Sequence, residues 1–192
     1  NVSIISGKNL IGEVSYQQIS GELKDPSDNV VLKKGTPAIK KKFKGRVLTI
    51  VQGASGNTYG HWLLEMLPKI KICSEHYAIK DIDYFYTPNL TTFQKETLSV
   101  LNIDTSKIIN SEKYRHIEAD ELLAVVHPSY YKGFILEEFK YQPRWVVEWI
   151  RNTYLPYAKS FEANKRVYLD RTDSVNNHCQ FIQEREISEY LI

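Results

Sequence analysis

The sequence has few cysteines and no long apolar run. Its two cysteines, Cys73 and Cys179, lack metal-ligand spacing and are too few for a disulfide framework, so they favour a reducing compartment. No run approaches the roughly 18 apolar residues that a membrane-spanning helix needs. We therefore expect no transmembrane segment. Internal repeats and low-complexity tracts are also absent from the sequence.

The sequence also lacks an excess of charge of one sign. It contains 25 Lys and Arg against 23 Asp and Glu, which gives a formal net charge of +2. A nucleic-acid-binding protein typically carries a strong cationic excess on one face, so we expect no nucleic-acid partner. One basic cluster occupies 40–46, just before an apolar run. We interpret it as the solvated start of a strand rather than as a phosphate or membrane patch.

The order of apolar patterns predicts the fold class. Short apolar runs interrupted by Gly and Pro fill residues 1–45 and predict a β-rich arm. Strands are then predicted at 47–51, 82–86, 107–109, 122–126 and 166–170. Helices are predicted at 59–77, 91–101, 143–156 and 184–192. Strands that alternate with helices indicate an α/β fold with a mainly parallel, doubly wound sheet.

Local signals mark the helix starts and the domain boundary. Thr91 and Gln94, three residues apart, predict a capping box, and Pro143 suits the first residue of a helix. The polar stretch 158–165 is interpreted as a linker. We therefore expect a first domain over 1–157 and, over 158–192, a linker and the beginning of a second domain.

The segment 57–70 reads NTYGHWLLEMLPKI and carries the densest group of candidate functional residues. On a helix, His61 and Glu65 lie four residues apart and share one face. Pro68 lacks the N–H that would bond to the carbonyl of Leu64, so we expect a kink or a late helix start. A histidine at a helix start after a parallel strand lies where doubly wound folds bind ligands.

Pattern alone leaves three interpretations of the His61–Glu65 pair. It is a core histidine that Glu65 keeps solvated, half of a metal site, or an acid–base pair in which Glu65 fixes the imidazole tautomer. Zinc sites take three or four ligands and the sequence offers no convincing third, so we expect no metal.

Further candidates follow the predicted strand 122–126. His127 comes directly after it, where its side chain is expected to point into a cleft. The aromatic residues beyond it are Tyr130, Tyr131 and Phe134. Aromatic faces pack on sugar rings, and the alternative is an ordinary cluster that covers a loop.

Two blocks of the sequence resemble glycosyltransferase family 61. The segment NTYGHWLLEMLPKI at 57–70 is similar to the hallmark segment of that family. The block KRVYLDR at 165–171 resembles one of its strands, and QEREI at 183–187 resembles the helix start that follows. Together the blocks bracket about residues 45–192. Cys179 and Gln183 stand where the family commonly has other residues.

This resemblance implies a two-domain GT-B fold. The chain would carry its N-terminal, Rossmann-like, acceptor-side domain and a truncated start of the donor-binding domain. The implied activity is the inverting, metal-independent transfer of a sugar from a nucleotide-sugar donor, a UDP-sugar being expected, to a glycan acceptor hydroxyl. No cofactor is implied, and a fragment with one wall of the cleft is expected to be inactive alone.

The resemblance and the residue usage together suggest a setting for the activity. Bacterial polysaccharide synthesis is the expected role. The expected location is cytoplasmic, at the membrane periphery if attached, or the secretory-pathway lumen in a eukaryote.

The resemblance also implies roles for individual residues. His61 is the expected catalytic residue, which contacts the acceptor or acts as base, and Glu65 orients it. Arg171 is the candidate ligand of the donor diphosphate, because a guanidinium fork suits phosphate oxygens, with a salt bridge as the alternative. The candidate substrate-binding residues are Asn57, Tyr59, His127 and Tyr130.

Two other functions are compatible with the sequence. A carbohydrate-binding or scaffold module that kept the fold without the chemistry is the first, and the altered block at 179–183 motivates it. A hydrolase or metal protein that uses His61 and Glu65 is the second.

Overall fold

Small antiparallel hairpins begin the chain, as the Gly and Pro spacing predicts. The computed structural model describes residues 2–15, 17–19, 22–37, 39–52, 58–131, 134–135, 142–158, 168 and 182–191. The chain divides into two compact units, 1–156 and 157–192. The arm of the first unit consists of β1 (Ile5–Ser6), β2 (Asn9–Leu10), β3 (Gln17–Ile19), β4 (Glu22–Lys24) and a short helix, α1 (Val30–Lys34). β1 pairs with β2, and β3 pairs with β4.

The helix α1 is not predicted by the sequence analysis, and a buried asparagine explains it. Asn29 caps α1, because its Oδ1 accepts a hydrogen bond from the N–H of Val31 at 3.0 Å. Its Nδ2 donates to the carbonyls of Val2 and Ser15, each at 2.8 Å. Asn29 therefore ties the arm together as well as starting the helix.

Four parallel strands form the central sheet. They are β5 (Lys41–Thr49), β6 (Tyr84–Thr87), β7 (Ile108–Asn110) and β8 (Ile117–Ala124), in the spatial order β7-β6-β5-β8. All three neighbouring pairs are parallel. The predicted α/β fold with a parallel sheet is thereby confirmed. A two-stranded hairpin, β9 (Tyr130–Tyr131) with β10 (Phe134–Ile135), follows.

Helices connect the strands close to the predicted positions. One continuous helix, here called the signature helix, covers 59–74 and consists of α2 (Tyr59–His61), a π turn (Trp62–Met66) and α3 (Leu67–Ser74). The others are α4 (Thr92–Val100), α5 (Arg144–Tyr154) and, in the second unit, α6 (Glu184–Leu191). The capping interaction at α4 is confirmed, because Gln94 Oε1 accepts from the N–H of Thr91 at 2.8 Å. Pro143 lies one residue before α5, as its cap.

The irregularity expected at Pro68 takes the form of the π turn. The N–H of Leu67 donates to the carbonyl of Trp62, five residues earlier. Pro68 has no N–H for the carbonyl of Leu64, and Gln142 supplies a donor instead, its Nε2 lying 3.3 Å from that oxygen. Such π turns recur at functional sites.

The two faces of the sheet are covered differently. On one face, buried strand residues pack with residues of the signature helix and α4 in the main core, which contains Leu48, Ile50, Phe85, Trp62, Met66, Leu67 and Leu98. On the other face, Tyr86 Oη donates to the carbonyl of Tyr114 at 2.7 Å, and the ring of Tyr114 lies 5.8 Å from that of Phe43. Tyr114 belongs to the connection between β7 and β8. In the described ranges a loop rather than a helix covers this face, so they do not show the second helical layer of a doubly wound sheet.

Two strands are longer than predicted, and charge explains why. β5 begins at Lys41, so the basic cluster lies within the strand. β8 begins at Ile117 rather than 122, and its acidic residues obscure its strand pattern. Lys42 pairs with Glu118 at 3.1 Å, and Arg46 Nε pairs with Glu121 at 2.7 Å. The continuous apolar run 122–126 predicts a buried strand, and this is wrong, because β8 is an edge strand of the described sheet and Leu122 is 38 % exposed.

A glycine allows the long β5–β8 pair to form. The register shifts between Phe43 and Arg46, and Gly45 lies in that irregularity with φ of +92°. A Cβ added there would come within 2.2 Å of Asp83 Oδ2. The same Asp83 oxygen accepts from the N–H of Arg46 at 2.7 Å, so it is held in place.

Most of the predicted linker 158–165 and of the predicted strand 166–170 lies outside the described residues. Among the described helices, none combines the length and the apolar character needed to cross a membrane.

Candidate functional site

The order of the strands changes direction at β5, so that β8 lies beside it on the side away from β6. The chain leaves β5 towards β6 and β7 and then returns to form β8 on the opposite side of β5. Open α/β sheets bind ligands at such a switch in strand order, outside the carboxyl ends of the strands. Thr49 and Ala124 are register partners, and Gln52 and His127 each follow them by three residues. The register therefore brings Gln52 and His127 to the same edge of the sheet.

Glu65 is the centre of a polar cluster at this edge. Its carboxylate comes from the π turn of the signature helix and is buried. Oε1 is hydrogen-bonded to Nδ1 of His61, one helical turn earlier. Oε2 accepts from Nε2 of Gln52 and lies 3.3 Å from Nε2 of His127. One carboxylate thus contacts residues from three segments of the chain.

The hydrogen bonds define the tautomers of both histidines in their neutral form. Nδ1 of His127 accepts from the N–H of Ser129 at 3.1 Å. The ring proton of His127 therefore lies on Nε2, the atom that faces Glu65. A carboxylate only accepts hydrogen bonds, so His61 donates through Nδ1 and keeps its lone pair on Nε2. The side chain of His61 is 28 % exposed, whereas that of His127 is 5 % exposed.

Glu65 is ionised despite its burial. Burial raises the pKa of Glu65, but the hydrogen bonds and electrostatic interactions with His127 and His61 outweigh that effect. The net result is a pKa below the usual value for glutamate. A carboxylate therefore persists at neutral pH although its side chain is buried.

Lys69 adds a cation to the same helix. It lies four residues after Glu65 and is buried. Burial lowers the pKa of Lys69 to about 8, and the negative charge of Glu65 opposes that shift. The cluster therefore combines an ionised acid, two imidazoles and a lysine whose charge changes at mildly alkaline pH.

The structure brings three of the predicted site residues together and leaves the others apart or outside the description. His61, Glu65 and His127 share the cluster. Tyr59 is 63 % exposed, and its ring packs 5.1 Å from that of Phe93. The backbone of Tyr130 lies in β9, and its side chain is outside the described part. Asn57 and Arg171 also lie outside it.

Sequence reasoning missed Gln52 and Lys69 as members of the cluster. Gln52 carries no motif signal, although its place just after a parallel strand marks it as a candidate. Lys69 lies within the segment 57–70, where a lysine carries no motif signal of its own. Its spacing of four residues from Glu65 is the signal that connects them.

Metal binding receives no support from the described side chains. Among them, no three His, Cys, Asp or Glu residues are arranged to hold a metal ion. His61 and His127 instead each direct one ring nitrogen at Glu65.

Comparison of the chain with protein-family models, with curated proteins and with solved structures finds no match. The resemblance to glycosyltransferase family 61 therefore rests on the quoted segments alone. The chemistry that the cluster can perform is defined by its geometry. A partly exposed imidazole with an accepting Nε2, backed by a buried carboxylate, is suited to take a proton from a hydroxyl group.

Proposed function

We propose that the protein acts as a glycosyltransferase, and that His61 is the general base of the reaction. The observation that carries the proposal is the His61–Glu65 pair, held at the carboxyl edge of a parallel sheet with His61 partly exposed. The resemblance of 57–70 and 165–171 to family 61 supports the reaction class. The substrates are a nucleotide sugar, with UDP-sugars as the expected donors, and a glycan acceptor.

In the proposed step one O–H bond and one C–O bond break, while one N–H bond and one C–O bond form. His61 Nε2 takes the proton of the acceptor hydroxyl while its oxygen forms a bond to the anomeric carbon. The bond from that carbon to the diphosphate oxygen breaks, and the nucleoside diphosphate leaves with the electron pair. Attack and departure on opposite faces invert the anomeric carbon. Glu65 stabilises the imidazolium that forms, because an opposite charge favours the protonated ring.

The order of the strands supports a more specific proposal for the fold. The order β7-β6-β5-β8 corresponds to 3-2-1-4 when the strands of the sheet are numbered along the chain. This is the first part of the order 3-2-1-4-5-6 of a Rossmann fold. We therefore propose a Rossmann-like domain of the GT-B type, with Arg171 on the donor side as a diphosphate ligand.

The test measures sugar transfer and donor binding. The protein in its natural full-length form is incubated with UDP-glucose, UDP-galactose, UDP-N-acetylglucosamine and UDP-xylose over a panel of glycan acceptors, and released UDP is quantified. The variant His61→Ala is expected to lose transfer by about 10²- to 10⁴-fold. His76→Ala, at an exposed histidine of the same region, is the matched control and is expected to retain it.

Two outcomes would contradict the proposal. If no nucleotide sugar binds and no UDP is released, the reaction class is wrong. If transfer occurs but His61→Ala leaves it unchanged, the assignment of the base is wrong. Binding of a glycan without any transfer would instead favour a carbohydrate-binding or scaffold module.

A further inference from the structure

The two oxygens of the Glu65 carboxylate have different partners. Oε1 contacts only Nδ1 of His61 among the described residues. Oε2 accepts from Gln52 and faces Nε2 of His127 at 3.3 Å. Gln52 follows β5, His127 follows β8, and the paired register of those strands fixes the spacing between the two donors.

We propose that His127 and Gln52 are positioning residues that hold Glu65 by Oε2, so that Oε1 fixes His61 with its proton on Nδ1. His61 Nε2 is then left to accept a proton from the substrate. The identity of the substrate rests on the proposed function, whereas the arrangement of protons does not. Neither His127 nor Gln52 touches the substrate in this proposal.

The conformational freedom of a carboxylate explains why a second attachment is needed. The terminal torsion of a glutamate side chain is broad and roughly two-fold. A Glu65 held by His61 alone could therefore rotate and lose the alignment of Oε1 with Nδ1. Donors that follow two different strands restrict that torsion, because moving Oε2 away from them would break the hydrogen bond from Gln52 and the contact with His127.

The charge of Glu65 determines which nitrogen of His61 carries the ring proton and which one can accept a proton from the substrate. A protonated Glu65 can donate its O–H to Nδ1 of His61, and the neutral ring then carries its proton on Nε2. That tautomer cannot accept a proton from a hydroxyl. Hydrogen bonds from Gln52 and His127 favour the ionised carboxylate, and so they favour the reactive tautomer of His61.

Three titratable groups surround Glu65, and each comes from a known element. His61 and Lys69 lie on the signature helix, one turn before and one turn after Glu65. His127 comes from the segment that follows β8. The proposed arrangement is that of the neutral rings, in which Nδ1 of His127 accepts from the N–H of Ser129.

Nitrogen-15 NMR of the imidazole rings tests the arrangement without any substrate. The chain has five histidines, so His→Gln variants can assign the ring signals. The expected result above the imidazole titration is a proton on Nδ1 of His61 and a proton on Nε2 of His127. A proton on Nε2 of His61 in the unaltered chain would overturn the inference.

Variants of the two positioning residues test their effect on His61. His127→Phe fills the space without a donor, and His127→Gln restores a donor near the position of Nε2. Gln52→Leu and Gln52→Glu remove the amide group that donates to Glu65 Oε2 and replace it with a side chain of similar volume. We expect His61 to shift towards the Nε2-protonated tautomer in His127→Phe, Gln52→Leu and Gln52→Glu. In His127→Gln we expect His61 to keep its proton on Nδ1. Thermal unfolding identifies any variant that fails to fold.

Kinetics of the natural full-length form give a second readout. His127→Phe and Gln52→Leu are expected to lower kcat by about 10- to 100-fold, as is typical of residues that orient a reacting group. KM for the donor is expected to stay the same, and His127→Gln should recover most of kcat. Equal kcat in all folded variants would overturn the inference.

The two proposals fail in distinguishable ways. If the predicted tautomers are observed but no nucleotide sugar is used, the proposed function is wrong and the positioning of His61 stands. If transfer depends on His61 but its tautomer does not respond to His127 or Gln52, the proposed function stands and the positioning role is wrong.

Discussion

The buried ammonium group of Lys69 lies on the same face of the signature helix as the buried carboxylate of Glu65. Burial of a lysine disfavours its charged form, since charge is poorly solvated in the interior. Glu65 offsets only part of that cost, and the pKa of Lys69 falls to about 8. In the unfolded chain a lysine titrates near its ordinary value of about 10.4. Folding therefore releases a proton at mildly alkaline pH.

The sign of the resulting pH dependence follows from that release. Between the folded and unfolded pKa values, the unfolded chain binds more protons, so the free energy of unfolding rises with pH. We expect a contribution of about 2 kcal/mol from Lys69 between pH 7.5 and 9.5. Urea unfolding at each pH measures it. In Lys69→Met that rise should be absent, and an equal rise in both proteins would contradict the buried position of Lys69.

At the scale of the secondary-structure elements, the pairing of β5 with β8 depends on the backbone conformation of Gly45. Its φ of +92° and the nearness of Asp83 leave no room for a side chain. We expect Gly45→Ala to lower the free energy of unfolding by about 1–3 kcal/mol, the usual cost of a strained backbone position. Chemical denaturation measures the change. Gly60→Ala, a helical glycine where an added Cβ would meet no atom within 4 Å, is the control and should cost nothing.

The carbonyl of Leu64 allows a test of whether Gln142 replaces the hydrogen-bond donor that Pro68 lacks. Gln142 donates to it because Pro68 cannot. We expect Gln142→Leu to destabilise the protein by about 1 kcal/mol, the usual net value of a hydrogen bond. In a Pro68→Ala background, the new N–H can serve Leu64, so the same change should cost less. A double-mutant cycle gives the coupling, and additive effects would show that Gln142 does not compensate for Pro68.

Prediction from sequence succeeded for elements with a strong local signal. The helix 59–74 and the helices α4, α5 and α6 all follow from apolar spacing and capping residues. β8 was predicted too short, because Glu118 and Glu121 satisfy basic residues on the neighbouring strand and do not resemble a buried strand. The helix α1 was missed, because Asn29 acts through partners far away in the sequence.

Sequence predicted His61, Glu65 and His127 as site residues, but predicted a contact only between the two that are close in sequence. His61 and Glu65 could be paired from their spacing of four residues. The contact between His127 and Glu65 depends on β8 lying beside β5, and no local pattern encodes the order of strands. Gln52 joins them for the same reason. The spacing of four residues thus identifies the pair His61–Glu65, but not the residues that contact Glu65 from other segments.

At the scale of the whole molecule, the apolar side of the sheet also encloses a thiol. Cys73 lies in α3 within the main core and is 4 % exposed. Burial raises the pKa of its thiol, which reduces its reactive thiolate form. Opening of the core is therefore required before a reagent can reach it.

Thiol labelling can measure that opening. In a Cys179→Ser variant, which leaves a single thiol, we expect Cys73 to react about 10³-fold or more slowly than in the urea-unfolded chain, as the usual stability of a domain implies. The rate is followed with a chromogenic disulfide reagent across urea concentrations. Labelling at the unfolded rate without urea would show that the helix layer does not cover Cys73.

The position of β8 in the chain has a consequence for how the protein is made. β5, Gln52 and the signature helix leave the ribosome before β8 and His127 do, because synthesis proceeds from the N-terminus. A nascent chain that ends before residue 127 can pair His61 with Glu65 but has no partner for Glu65 from β8. The pair His61–Glu65 and the contact of Glu65 with His127 are therefore assembled at different times. Only after β8 has docked beside β5 can the growing polypeptide complete the polar cluster around Glu65.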